Sequence, residues 1–423
     1  MLSNIAHFFI GLPSLLPLVV FALILRRKIP ILEATLIWSV FVLLMTEALS
    51  LFGAVHTWGF IAGWCVLAAG LALDTTGFFD KEKRPTALKK LRALKQLSIK
   101  SLDFTTCFAR FIALPVQSGL AVQSSKTLKI FYTLIGFNLL AIGVIAVFSP
   151  PNSWDALTYH VSRGFYWLQH RSVEFFPTHN LRHVMFGPWS SYVMLNFQAL
   201  SQSLFWSNLV QWFAWVGCLA GMMRLATFFS KPRTEIFQLS WQLLVALLSC
   251  LWIATLPSVV LGASSSMNDI VLAFWVLTTI VFLFEDIKTP GHALTAAKIG
   301  MSAGLALLTK GTALIFLLPA FVLWVYRSLN VKKGATDQGA VKNHWVRFLK
   351  QGFMIAAVAI ALNLPQFARN LSTFGHPLGD QKFIKLHNTE IHSPAALISN
   401  ILRFSAAHIV TPKDEWNEPI LHA

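Results

Sequence analysis

IFYTLIGFNLLAIGVIAVFS, residues 130–149, is a run of twenty residues without a single charge. A helix of about 20 apolar residues matches the hydrocarbon thickness of a bilayer. Nine further stretches of similar character flank it, at about 8–25, 31–52, 57–73, 204–228, 236–256, 270–284, 295–309, 312–326 and 350–366. The pair 295–309 and 312–326 is short and nearly continuous, consistent with either a helical hairpin or one broken helix. Composition agrees with this pattern. Of 423 residues, 55% are hydrophobic and only 12% charged, and mean hydropathy is +0.61. An ordinary soluble enzyme, a disordered chain and a disulfide-rich secreted module are all excluded. The expected fold is all-α: a polytopic membrane protein of about ten transmembrane helices, with an external loop carrying short interfacial helices.

The 34 Lys and Arg against 18 Asp and Glu give a net charge of +16. In a soluble protein this would suggest nucleic acid; here the basic loops orient spans, and no nucleic-acid partner is expected. Arg26, Arg27 and Lys28, eight Lys/Arg within 81–100, Lys231 and Arg233, Lys288, and the group from Arg327 to Lys350 all fall on one side if ten spans are counted. One span more or fewer would alternate them. The N-terminus, the loops 150–203 and 257–269, the Lys310 turn and everything after about 367 are then outside. Residues 1–25 do not resemble a signal peptide, because the Arg-Arg-Lys run follows the apolar segment instead of preceding it. Within 74–128, Leu88, Leu91, Leu94, Leu97 and Leu102 alternate with Lys and Arg, as in an amphipathic helix on an anionic leaflet or in a solvated linker. Cys65, Cys107, Cys218 and Cys250 lie in spans or inside loops, so no disulfide framework is expected.

The chemistry concentrates in the longest outside loop. It is rich in aromatics, Arg and His and holds just two acids, Asp155 and Glu174. If 154–170 is helical, Asp155, Tyr159 and Arg163 share one face at i, i+4, i+8. The carboxylate can take a proton from a hydroxyl nucleophile, and the guanidinium can grip a phosphate with two hydrogen bonds. Equally, Asp155 and Arg163 can simply pair with each other on an interfacial helix. His160, His170, His179 and His183 crowd the same loop. The His179/His183 spacing alone is a weak zinc signal, and no metal or cofactor is expected. Asn268 and Asp269, after Ser264–Ser266, have the composition of a helix cap, or could orient an acceptor. Lys310 in an apolar run either neutralises a phosphate or snorkels to headgroups. Arg369, just past the last span, is a second phosphate candidate or an interfacial anchor.

The stretch WDALTYHVSRGFYWLQHRSVEFFPTHNLR (154–182) resembles the first large external loop of bacterial membrane glycosyltransferases of the GT-C superfamily. These are relatives of the protein mannosyltransferases and the lipid A aminoarabinose transferase. Three further segments support the resemblance: LGASSSMNDIVLAFW (261–275), GLALLTKGTALIFLLP (304–319) and RNLSTFGHPLG (369–379). The resemblance implies an inverting transfer of a sugar from a polyprenyl-phosphate carrier to a lipid, glycan or protein acceptor, at the outer face of the cytoplasmic (inner) membrane. It gives Asp155 the place of the catalytic base or acceptor-orienting group and likens Asn268 and Asp269 to a second acidic site; with them, Tyr159, His160, Arg163, Lys310 and Arg369 are the expected substrate-binding residues. It also divides the chain into a three-span region (1–129), a catalytic region (130–380) and an external tail (381–423). Three spans precede the acidic loop where many members have one, and members usually continue with more spans, so the tail fits a short variant or an incomplete chain. Two other classes fit the composition: a lipid or solute transporter or flippase, for which Glu47 is the clearest acid within a span, and a ligase or polymerase moving whole glycans between lipid carriers.

Overall fold

The computed structural model describes residues 12–75, 126–204, 206–229, 236–330, 338–386 and 393–407. The first eleven residues, the basic stretch 76–125 with its leucine pattern and Cys107, the Lys231/Arg233 and Lys332/Lys333 turns, and the tail from 408 lie outside them. Among the described residues there is no strand. A 3-10 turn, Leu12–Leu15, leads into α1 (Leu16–Arg26), followed by α2 (Ile31–Leu51), α3 (Thr57–Thr75) and α4 (Lys126–Phe148). The loop expected to lie outside carries α5 (Ser162–His170), the short α6 (Arg182–Met185) and α7 (Trp189–Ser201). Then come α8 (Leu209–Ala226), α9 (Ile236–Thr255), α10 (Pro257–Ala263), α11 (Asp269–Lys288), α12 (Ala293–Thr309), α13 (Ala313–Asn330) and α14 (Gln338–Phe374), with α15 (Gln381–Leu386) and α16 (Pro394–Ala407) closing the series.

Among these residues, five helices are long and apolar enough to cross a membrane: α2, α3, α8, α11 and Trp345–Phe374 of α14. A sixth forms if α9 and α10, bent by 68°, count as one span. That bend sits at Pro257, whose ring excludes a helical Leu256 and removes one amide; Leu256 is accordingly extended (ψ 121°). Helices α1, α4, α12 and α13 contribute apolar segments of 10–17 residues. Large apolar side chains such as Phe137, Trp252, Ile315, Phe316, Phe353 and Leu364 stand exposed on these helices. An outward apolar surface of this kind is solvated by lipid, not water.

Segment edges differ from expectation in two places. The span expected from 204 begins at Leu209, after a turn that follows Gln202 in the left-handed region (φ 52°). The span expected over 350–366 is part of a 37-residue helix, about 55 Å long at 1.5 Å per residue. The pair 295–309 and 312–326 forms two helices joined at an extended Lys310 (φ −161°). Helix α12 starts beside the end of α11 and climbs to Lys310. Helix α13 returns, so that Trp324 Nε1 reaches Asp286 Oδ2 of α11 at 2.9 Å. The pair is a hairpin.

The most extensive helix pair is α12 with α14. Gly300 and Gly304 lie one turn apart on α12, where a Cβ would come within 2.7 Å of the Ile355 carbonyl and 3.0 Å of Ala359 Cα. This small-xxx-small spacing lets two backbones touch, which in lipid replaces hydrophobic attraction with close packing. Asn363 Nδ2 closes the contact by donating to the Gly304 carbonyl (2.9 Å). The N-terminal helices are not a separate layer, since α2 packs on α7, α8 and α12.

Charge is confined to the two ends of the bundle. At one end Arg224 of α8 donates to both Glu33 oxygens (2.6 and 2.7 Å) and to Glu285, while Lys298 reaches Glu33 (3.1 Å) and Glu285 (3.0 Å). At the other, Arg369 forks onto Glu47 (2.9 and 2.8 Å), and Tyr192 donates to the same carboxylate (2.7 Å). Each end gathers the helix termini that alternating spans bring to it. The Arg369–Glu47 pair is enclosed, with side chains 7% and 17% exposed. Removing one partner of such a pair costs about 3–5 kcal/mol, because the other charge is left buried and alone. Arg369→Met is therefore expected to lower stability in detergent by about that amount, and Glu47→Leu/Arg369→Met to recover a large part of it. A double variant no more stable than the single one would contradict the pairing account.

Candidate functional site

The outer loop begins where Pro150 and Pro151 end α4, and Asn208 Nδ2 anchors this exit by donating to the Ser149 carbonyl (2.9 Å). The stretch 154–170 is helical, as expected, but not as one regular α-helix. Residues Ala156–His160 make one π-helical turn, with Val161 N bonded to the Ala156 carbonyl (2.9 Å), and α5 starts afterwards. A π turn inserts one residue into the helical register and often marks a functional site. Its consequence is geometric: Asp155 and Tyr159 stay together, but Arg163 no longer shares their face.

Arg163 turns inward and is 1% exposed. Its two terminal nitrogens donate to the carbonyls of Phe186 (3.0 Å) and Gly187 (2.9 Å), and its guanidinium lies 5.2 Å from the Trp167 ring centroid. Burial holds it down to about 10, against the opposing pull of Tyr192 and Tyr159. Neither expected role holds in this geometry. The guanidinium does not pair with Asp155, and both of its terminal nitrogens are engaged by backbone carbonyls. What Arg163 does is position the chain at 186–187. Gly187 presses against the end of α12, where a Cβ would sit 2.7 Å from the Thr309 carbonyl and overlap that of Leu308. Gly164 serves the same close approach on the other side, where a Cβ would overlap Gln198 Oε1 of α7.

Arg369 is likewise withdrawn from phosphate chemistry, being engaged by Glu47, Tyr192 (2.9 Å) and more distantly Glu174 (3.6 Å). It anchors α14 to α2 and α7. Asn268 occupies the N-cap position of α11 without capping it. Its side chain instead donates to the Thr309 carbonyl (3.1 Å), and the free Ile270 amide is capped from α8 by Gln211 Oε1 (2.8 Å). The neighbouring serines also bond outward, with Ser266 Oγ on Asn208 Oδ1 at 2.5 Å.

The remaining groups form one cluster. Asp155, with its side chain 37% exposed, accepts a hydrogen bond from Tyr159 and faces Arg182 at 3.9 Å. Burial first, then the Asp155 charge, pushes the Tyr159 phenol above its ordinary range, so it stays protonated and donates. Arg182 lies over the Tyr159 ring (5.9 Å). His160 packs against Tyr159 (ring centroids 4.2 Å apart), and its Nδ1 is buried without a hydrogen-bond partner. Lys310 is near enough to act on the His160 charge. Lys310 in turn pairs with Asp269 at 2.6 Å, with both side chains substantially exposed (40% and 50%). The path Asp155–Tyr159–His160–Lys310–Asp269 thus joins the loop to the outer ends of α11 and α12. Arg182 is the member that sequence reasoning placed in the loop without assigning it to Asp155. Its signal was only that it is a basic residue on the side where basic residues are disfavoured.

His183 bonds through both ring nitrogens, to Ser162 Oγ (3.0 Å) and Thr178 Oγ1 (2.9 Å). Among the described residues no three His, Cys, Asp or Glu side chains gather in a metal-binding group. No known protein family, curated protein or solved structure matches this chain.

Two imidazoles of the loop are held neutral. Burial, then Arg163 and Lys310, keep His160 well below 6.5, and burial, then Arg163, lowers His183. The unfolded chain binds protons near pH 6.5 that the folded chain refuses, so this stability is present above pH 6.5 and lost as pH falls below it. Thermal unfolding followed from about pH 7.5 to about pH 5 is expected to show falling stability, with a shallower slope in His160→Phe. An unchanged slope in that variant would remove His160 from the account.

Proposed function

We propose that this chain is a GT-C-like glycosyltransferase with ten spans. It takes a sugar from a polyprenyl-phosphate carrier and passes it to an acceptor hydroxyl. The site faces the exterior of the cytoplasmic membrane, opposite the basic loops. The observation that carries the reading is the Asp155 cluster: a half-exposed carboxylate oriented by a phenol, next to two exposed cations, at a bundle end otherwise poor in free acids.

In this reading Asp155 removes the acceptor's hydroxyl proton, and the freed oxygen attacks the anomeric carbon on the face opposite the phosphate. The bond from that carbon to the phosphate oxygen breaks, and polyprenyl phosphate leaves with the electron pair. Configuration inverts through an oxocarbenium-like transition state. Phosphate is a good leaving group, so the step needs charge stabilisation more than a strong acid. Lys310 and Arg182 supply it, in place of the enclosed Arg163 and Arg369. Tyr159 fixes the carboxylate by donation, and Asp269 holds Lys310 at the turn. A cleft of about 520 Å³ between α12, α13 and α14, lined by Leu314, Ile315, Leu318 and Phe321 among others, starts just beyond Lys310 and suits an isoprenoid tail.

Transfer from a radiolabelled polyprenyl-phosphate sugar in proteoliposomes tests the reading. Asp155→Asn keeps the shape and removes the base. It is expected to reduce turnover at least 100-fold while leaving donor binding within about twofold. Lys310→Met is expected mainly to raise KM for the donor. Near-full transfer by Asp155→Asn would refute the assignment.

A further inference from the structure

At the end of the bundle opposite Asp155, a cavity of about 340 Å³ opens between the start of α12 and the first half of α14. Arg347, Lys350 and Gln351 line one wall, and Gly291, Ala293 and Ala296 line the other. The α14 residues lie at i, i+3 and i+4, on the face turned toward α12. Among the described residues, neither Arg347 nor Lys350 has a carboxylate partner. Asp286, which Gln351 of the cavity wall contacts, is already taken, with one oxygen accepting from Trp324 (2.9 Å) and the other from Gln351 (2.6 Å). Two cations therefore face a cavity in which no carboxylate of the described residues pairs with them.

The other wall is shaped for the same purpose. Gly291 has φ +97°, and a Cβ there would overlap the Arg347 side chain, so glycine both permits the turn and leaves the guanidinium its place. The first turn of α12 lines the cavity, and no side chain caps it. Its unpaired amides add partial positive charge. Val346 and Met354 add apolar lining, and beside the cavity Leu349 and Phe353 are exposed. Cations level with an uncapped helix start, above outward apolar side chains, match the headgroup-to-acyl boundary of a leaflet. Basic pockets between spanning helices on the side of the basic loops bind anionic headgroups.

We infer that this cavity is a binding site for the phosphodiester headgroup of an anionic phospholipid in the leaflet on the side of the basic loops. Arg347 forks onto two phosphate oxygens and Lys350 neutralises the charge. The acyl chains run along Leu349 and Phe353. A soluble phosphate would offer the same oxygens, but not the chains. The inference is independent of the sugar-transfer reading.

The test is the thermal unfolding midpoint of the purified full chain in neutral detergent at constant ionic strength. The titrants are phosphatidylglycerol, phosphatidylcholine and inorganic phosphate. Phosphatidylglycerol is expected to raise the midpoint by several degrees, and Arg347→Gln/Lys350→Gln to need at least tenfold more of it for the same shift. Phosphatidylcholine should act alike on both proteins. An equal phosphatidylglycerol response in wild type and double variant would overturn the site, and a full shift from inorganic phosphate alone would overturn the lipid assignment. Should the double variant fail to fold, native mass spectrometry of the wild type in an equimolar lipid mixture decides. Preferential retention of phosphatidylglycerol supports the site, and equal retention of both lipids overturns it.

Discussion

An apolar bundle in lipid can keep charges only at its ends, and only if they meet. Everything else in this fold follows from how that is arranged. Glu47, Arg369 and Tyr192 come from α2, α14 and α7, and they close one end in a single hydrogen-bonded group. Glu33, Arg224, Glu285 and Lys298 come from four different helices and close the other. Because the partners are up to 322 residues apart, these pairs fix which helices are neighbours and which termini lie together. Hydrophobic burial, which sets the order of elements in water, gives little direction among helices surrounded by lipid. Close packing at Gly300 and Gly304 and paired charge at the ends supply it instead.

The outer cluster depends on the same economy of polar groups. Arg163 has no carboxylate partner among the described residues and binds two backbone carbonyls. By holding the chain at 186–187 against the end of α12, it sets the Asp155 loop beside Lys310. A lysine could not do this, since a single ammonium lacks the planar fork that meets two carbonyls at once. Of the cations accessible at this end, Arg182 and Lys310 have their carboxylate partners at the exposed rim, where ion pairs contribute about 0–1 kcal/mol and yield readily to a ligand.

The apolar segments were legible in the sequence because a bilayer imposes length and composition together, and 31–52 is among the helices long and apolar enough to cross. With spans alternating, Glu33 and Arg224 fall at one end and Glu47 and Arg369 at the other, in keeping with their pairs. Pairing was not legible. The i, i+4, i+8 spacing of Asp155, Tyr159 and Arg163 presumed a regular α-helix, and a one-residue π insertion at 156–160 redirected Arg163 inward. The serine run before Asp269 looked like a local cap, but Gln211 caps α11 from another helix. Arg369 looked exposed because it follows a span, whereas α14 continues to Phe374 and keeps it buried. Each miss has one cause: a polar group near a membrane is claimed by the best partner in three dimensions, and sequence spacing does not rank partners. The small-xxx-small spacing of Gly300 and Gly304 is a sequence signal that could have pointed to their contact.

The central claim is that sugar-transfer chemistry sits at the end of the bundle carrying Asp155 and Lys310. A structure determined with a non-transferable polyprenyl-phosphate sugar bound tests it most directly. The account predicts the phosphate within hydrogen-bonding distance of Lys310 or Arg182, the anomeric carbon facing Asp155, and the isoprenoid chain along α13. A phosphate found at the opposite end, among the basic loops, would contradict it.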